Sequence, residues 1–410
     1  MPESRSRLFD LPRPVWLFGW VSLATDAASE AIYALLPFFL TQVLGAGAIA
    51  LGIVEGAAEA ANSILKVVSG RLSDKTRVKR RFVLLGYAVS SLARPFIAVT
   101  TTWLQVFTVR VLDRVGKGVR SAPRDAMLAR WATPTTRGKV YGFHQGMDNL
   151  GAVLGPALAT LFLVFWPGQY RTLFMLTIVP GAIAVALILF IPEDGVSANP
   201  ANPVNPVNPA NPVNPANPVS EVPLPRSFYV FIGVLAVFML GNSTDAFLLL
   251  RLTDAAGSPR FVPLMWAGIH VVKSTVSVIG GSWSDRVGRR AVIAIGWLVY
   301  AVVYAGFAFS QTLPALLGWF LVYGFYFGFA EGTEKALVAD FAPVSKRGTA
   351  FGIYNAVSGI GALTASIVFG VLWKYFGAPV AFGVGAALAL LATVLLFAVV
   401  RTPATQRVAA

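Results

Sequence analysis

Asp26 and Glu30 stand four residues apart, and Tyr33 shares their helical face. A second stripe, Glu55, Glu59, Asn62 and Lys66, falls at i, i+4, i+7 and i+11, within about 60° on a helix of 3.6 residues per turn. Carboxylates paired this way in a poorly hydrated setting cannot all ionise cheaply. That suits a site that gains and loses a proton. Bases oppose them: Arg110, Arg114 and Lys117 run at i, i+4 and i+7 with Asp113 between, and Lys66 and Arg94 add two more. Six acids (Asp26, Glu30, Glu55, Glu59, Asp113, Asp148) thus face five bases in the first half. Two readings stay open: proton or cation handling by Asp26, Glu30 or Glu59, and pure structural pairing.

In the second half Asp245, His270, Lys273, Glu331 and Glu334 hold the corresponding places. Aligning Gly70 with Gly281 sets His270 opposite Glu59 and Lys273 opposite Asn62, which predicts an acidic half facing a mixed one. Glu331 and Glu334, at i and i+3, are spaced to complete a cation site. Lys335 and Asp340 read as solvated charges near the rim. His144 and Asp148 read first as a satisfied packing pair and second as a proton relay. Enzyme chemistry finds no support. Val115-Gly-Lys-Gly118 imitates a phosphate loop but lacks the following Ser or Thr. There is no Cys for thiolate or disulfide chemistry, and two His argue against a His-built metal centre. No cofactor or resident metal is expected.

The elements carrying these groups are apolar. Of 410 residues 56% are hydrophobic and 13% charged, where a soluble chain would carry about 25%. The net charge of +14 sits in short loops, which suggests membrane orientation rather than nucleic acid. Twelve spans are predicted: about 15–40, 48–70, 82–101, 103–122, 138–165, 170–191, 227–251, 261–282, 291–310, 313–337, 348–372 and 377–400, each near the roughly 20 residues a bilayer core requires. Basic even-to-odd loops and basic termini assign that face to the cytoplasm. Asp26 and Glu30 inside the first apolar run argue against a cleaved leader.

Between spans six and seven, residues 199–219 repeat Asn-Pro every three residues. Proline at this density excludes helix, so 192–226 reads as a cytoplasmic linker between a bundle over 1–191 and another over 227–410. The halves repeat: Gly70-Arg-Leu-Ser-Asp74 returns as Gly281-Ser-Trp-Ser-Asp285, and Thr25-Asp26-Ala27 as Thr244-Asp245-Ala246. Duplication with one linker predicts an all-α membrane protein: two pseudo-symmetric six-helix bundles around a central cavity.

These residues resemble the major facilitator superfamily over nearly the whole chain. Its loop signature matches Gly70 and Asp74 in the first half, where Arg77 replaces the expected glycine. The second copy matches Gly281, Asp285, Arg286, Gly288, Arg289 and Arg290. The resemblance implies that Asp74, Lys75, Arg77 and their second-half counterparts gate the cytoplasmic ends. Gly151-Ala-Val-Leu-Gly155-Pro156 is similar to the motif of proton-coupled antiporters in that family. Its glycines would permit close helix contact and Pro156 would bend the helix. Asp26-Ala-Ala-Ser-Glu30, the Glu55–Lys66 stripe and the run from Gly116 look like a bacterial subgroup mostly assigned as exporters.

The expectation is a monomeric secondary transporter of the bacterial inner membrane, with both termini cytoplasmic, exporting a small cationic or amphipathic compound against protons. Its expected partners are the substrate, protons and lipid. The rivals are an organic-anion or siderophore carrier using Arg110, Arg114 and Lys117, a divalent-metal exporter, and a non-transporting receptor or scaffold.

Overall fold

The structure, a computed structural model, describes residues 11–74, 79–131, 137–192, 223–343 and 346–400. Among them twelve long helical rods follow one another: α1 (Arg13–Val43), α2 (Ala48–Asp74), α3 (Lys79–Val99), α4 (Trp103–Arg130), α5 (Arg137–Phe165), α6 (Tyr170–Leu189), α7 (Arg226–Ala256), α8 (Val262–Val287), α9 (Arg289–Phe309), α10 (Leu313–Phe341), α11 (Arg347–Phe376) and α12 (Ala378–Val399). Ten of them are long and apolar enough to cross a membrane. The reason is visible on their outer faces. Leu92, Phe96, Leu158, Phe165, Ile360 and Val394 are all more than half exposed, which only a lipid surround makes favourable. The Asn-Pro repeat, Lys75 and Arg77 lie outside the described residues.

The rods bundle as α1–α6 and α7–α12. The backbone departs from the α-helix where the halves meet. α7 breaks between Gly241 and Ala246, although its sequence counterpart around Asp26 runs as continuous helix. Non-helical backbone at membrane depth needs other partners. Here Tyr300 donates its hydroxyl to the Gly241 carbonyl at 2.9 Å, and the Thr244 amide donates to Ser366 Oγ at 3.2 Å. α10 makes one π-helical turn over Phe327–Glu331, the local widening that accompanies many functional sites.

Contacts between the halves are tight toward the face opposite the chain ends. A side chain at Gly52 would collide with the Ser366 carbonyl, one at Gly56 with Leu363, and one at Gly370 with the Ala48 carbonyl, so α2 and α11 touch backbone to backbone. Tyr33 and Thr244 share a 3.2 Å hydrogen bond, and Arg260 donates to the Val164 carbonyl at 2.8 Å.

Candidate substrate cavity

Behind the cavity wall of the first half lies a dry ionic knot. Arg110 donates from Nε and Nη2 to the two oxygens of Glu55, at 2.8 and 2.9 Å. It also reaches Asp113 Oδ2 at 3.3 Å, while Arg94 donates to Asp113 Oδ1 at 2.8 Å and to the Thr25 carbonyl at 3.1 Å. All four side chains are at most 5% exposed. Such a network survives burial because its charges are matched and hydrogen-bonded. Glu55 touches the cavity, but its charge is neutralised from behind; Arg110 and Asp113 are not cavity residues at all. This corrects their assignment to the substrate path: α4 turns Arg110 and Asp113 into the bundle, while Arg114 and Lys117 face the cavity.

The second half's charges find partners of their own. His270, the positional counterpart of Glu59, meets Glu30 with Nε2 at 3.9 Å from Oε2, and the indole of Trp266 donates to the same oxygen at 2.9 Å. Glu331 and Glu334 do not converge on a cation site. The π turn points Glu331 at Lys273 (3.6 Å) and Lys335 (3.1 Å), whereas Glu334 is buried and accepts from Trp297 at 2.8 Å and Tyr354 at 3.1 Å. Lys335 therefore belongs to the cavity rather than the rim. Asp340 is tied to Arg289 at 2.6 Å. Asp245, released by the break in α7, accepts from Tyr323 at 2.7 Å.

Two lobes of about 450 and 460 Å³ occupy the space between the halves. Glu30, Lys117, His270, Lys273, Phe327, Glu331 and Lys335 line both, so the lobes form one cavity. In the first lobe both walls carry ionisable groups, and the aromatic rings lie mostly on the second half. The first half contributes Glu59, Asn62, Lys66, Arg114 and Lys117, with Tyr33 its one aromatic ring among the described residues. The second half contributes Asp245, His270, Lys273, Glu331, Glu334 and Lys335, and with them the rings of Trp266, Tyr323, Tyr326, Phe327 and Tyr354. The second lobe holds Asp26 and Asp148 beside Gln145 and Asn149. Lys66, Lys117, Asp26 and Glu59 have no ion-pair partner among the described residues; Glu59 is exposed and accepts a 3.1 Å hydrogen bond from Asn62.

Gly151 and Gly155 do permit close contact: a side chain at either would strike the backbone of Leu23 or Ala27 in α1. α5 nonetheless continues as one helix through Pro156. In the loop signature, Gly70 and Asp74 end α2 and Gly281, Asp285 and Arg286 end α8 as helical residues. Gly288 turns the chain at φ +96°, a conformation glycine adopts freely. Arg289 bonds Asp340 within its own half.

The sequence reading missed the aromatic donors: Trp266, Trp297, Tyr323 and Tyr354 each hold a carboxylate. No sequence signal marks them: α9 and α11, which carry Trp297 and Tyr354, contain no acid of their own, and aromatic residues are common in apolar spans.

Twelve rods, two bundles and a polar cavity between them match what a family model finds in the chain. The model of the Major Facilitator Superfamily matches residues 18–276 and 230–410. The chain belongs to the Major Facilitator Superfamily. An uncharacterised MFS-type transporter of Methanocaldococcus jannaschii is 31% identical over 393 residues, covering 94% of this chain and 95% of the relative. Among solved structures, the nucleoside transporter NupG superposes with a TM-score of 0.73 at 14% identity, covering 94% of this chain and 99% of that one. A bacterial homologue of the human lysosomal transporter Spinster, inward-facing and occupied, gives 0.73 at 13% identity, covering 96% and 97%. At these identities the superpositions speak to fold. The protein is a multi-pass membrane transporter of the superfamily, and its substrate chemistry has to be argued from the cavity.

Proposed function

We propose that this member of the superfamily is a proton-coupled secondary transporter that exports a small amphipathic organic compound by alternating access. One observation carries the reading: the cavity is ionisable on both sides, and five of the six Trp, Tyr and Phe rings lining its first lobe stand on the second half. A molecule with a planar or apolar body and a charged end satisfies both walls at once, the body against Trp266, Tyr323, Tyr326 and Tyr354, the charge against Glu59, Lys66, Arg114 and Lys117. Pockets of such size and mixed lining suit small organic ligands. Proton coupling is supported by Asp26 and Glu59, cavity carboxylates without a basic partner among the described residues. Under the cytoplasmic assignment of the termini, the tight α2–α11 contact closes the outer face, so the cavity awaits its load from inside. The close α1–α5 contact at Gly151 and Gly155 fits the exporter resemblance.

The test uses inside-out vesicles and ethidium, a planar cation, under an imposed pH gradient. Gradient-driven uptake that collapses with an uncoupler supports the reading. Drive by ATP with indifference to the gradient overturns it.

Lys66, Arg114 and Lys117 favour a second reading, an organic anion as cargo. Glu59→Gln abolishes flux of a cationic cargo and spares an anionic one; Lys66→Gln does the reverse. The divalent-metal alternative lacks support, because no group of three potential ligands converges among the described residues.

A further inference from the structure

The second lobe differs from the first in chemistry. Asp26 and Asp148 reach it and do not reach the aromatic lobe, while Glu30 and Lys117 line both. The pairing of His144 with Asp148, expected to be a satisfied contact, is not one. His144 Nδ1 stands 3.6 Å from Asp148 Oδ2, too long for a hydrogen bond. Asp148 Oδ1 and His144 Nε2 are both shut away from solvent with no hydrogen-bond partner. A carboxylate oxygen offers only acceptance, so an orphaned one is a vacancy for a proton.

The surrounding charges sharpen this. Around Asp148 stand Asp26 and Glu30 from α1, Lys117, Arg124 and Asp125 from α4, His270 and Lys273 from α8, and Glu331 and Lys335 from α10. Arg124 and Asp125 neutralise each other at 3.0 Å, Lys273 is paired with Glu331 at 3.6 Å, and His270 leans on Glu30 at 3.9 Å. Over the whole lining, four carboxylates (Asp26, Glu30, Asp148 and Glu331) stand against three lysines (Lys117, Lys273 and Lys335). One proton restores the balance.

We propose that the second lobe is a proton site separate from the lobe that receives the substrate. Asp148 is the carboxyl that takes the proton, and Asp26 is the acid beside it. This rests on the proton-coupled reading above and assigns that coupling to a place. The step balances simply: a hydronium ion in the lobe gives its proton to an Asp148 oxygen, forming the carboxyl O–H and leaving water, and the reverse occurs when the cavity opens to the other side. Lys117, shared by both lobes, then faces one carboxylate of the pair instead of two, so the charge that the substrate meets depends on whether the proton is bound. Gly151 and Gly155 set the geometry, since a side chain at either would lift α1, and Asp26 with it, off α5.

The purified full chain in lipid nanodiscs is titrated by infrared difference spectroscopy, which reads the C=O band of a protonated carboxyl without any substrate. The expected band is present in the native protein, absent in Asp148→Asn, retained in Asp148→Glu, and moved by about one pH unit in Asp26→Asn. A band that survives Asp148→Asn, or none in the native protein, overturns the proposal. A parallel measurement follows ethidium in proteoliposomes. Gradient-driven uptake should fall about tenfold more than exchange at equal pH in Asp148→Asn, and an equal fall in both overturns the proposal. If the native protein ignores the gradient, the coupling reading fails, and the infrared band still decides whether the lobe binds a proton.

Discussion

Arg110 grips Glu55 with two parallel hydrogen bonds of 2.8 and 2.9 Å, in a part of the first bundle that is almost closed to water. A two-pronged contact of this kind fixes α4 against α2 and leaves neither charge available to a ligand. Removing one partner strands the other charge in a dry site, at a cost of about 3–5 kcal/mol. Arg110→Gln should therefore lower the melting midpoint in detergent sharply, and Arg110→Gln with Glu55→Gln should recover part of the loss. A stable Arg110→Gln variant that fails only in substrate binding would contradict this placement.

The chain contains no cysteine, so introduced pairs report without background. Gly370 approaches the Ala48 carbonyl so closely that an added Cβ would lie 2.6 Å from it. No side chain fits there, so the pair is placed one level deeper: Gly56→Cys with Ser366→Cys, whose Cβ atoms would lie 3.1 Å apart, should form a disulfide under mild oxidation, stop transport, and regain it on reduction. Failure to cross-link would mean that α2 and α11 do not meet at this level.

Trp266 of the second half donates to Glu30 of the first. This bond must break if the halves part at this face. A hydrogen bond to a charged group contributes about 1.5–3 kcal/mol, enough to shift a two-state population roughly tenfold or more. Trp266→Phe should make a cysteine placed at cavity residue Asn242 more reactive toward an impermeant maleimide added from that same face. Unchanged reactivity would remove Trp266 from the closure.

Glu334 accepts from Trp297 and Tyr354 with no cation in contact among the described residues. Glu334→Leu leaves both donors buried without an acceptor, each unsatisfied group costing about 1–3 kcal/mol. Glu334→Gln retains an acceptor for one of them. Melting midpoints in detergent should fall in the order native, Gln, Leu. Equal midpoints for all three would mean that the indole and phenol find other partners.

How much of this was legible beforehand depends on the range of the interaction. The twelve rods, the duplicated halves and the inward acidic stripe of α2 follow from local rules. Apolar runs of bilayer length must be helical, and a polar stripe on an apolar helix must turn from lipid. By contrast, the aromatic rings that the second half adds to the cavity and the donors that hold Glu30, Asp245 and Glu334 stand on other helices than the groups they meet.

The amino-acid order thus determined which segments cross the membrane and which faces carry charge, because hydrophobicity and helical period act within a few turns. Tertiary structure alone decided which charges are used up in the protein and which remain for cargo. Glu55 and Glu59 lie four residues apart on one stripe, yet one is locked to Arg110 and the other stands exposed in the cavity. That difference arises from what α4 places behind each of them, and nothing in the spacing along α2 encodes it.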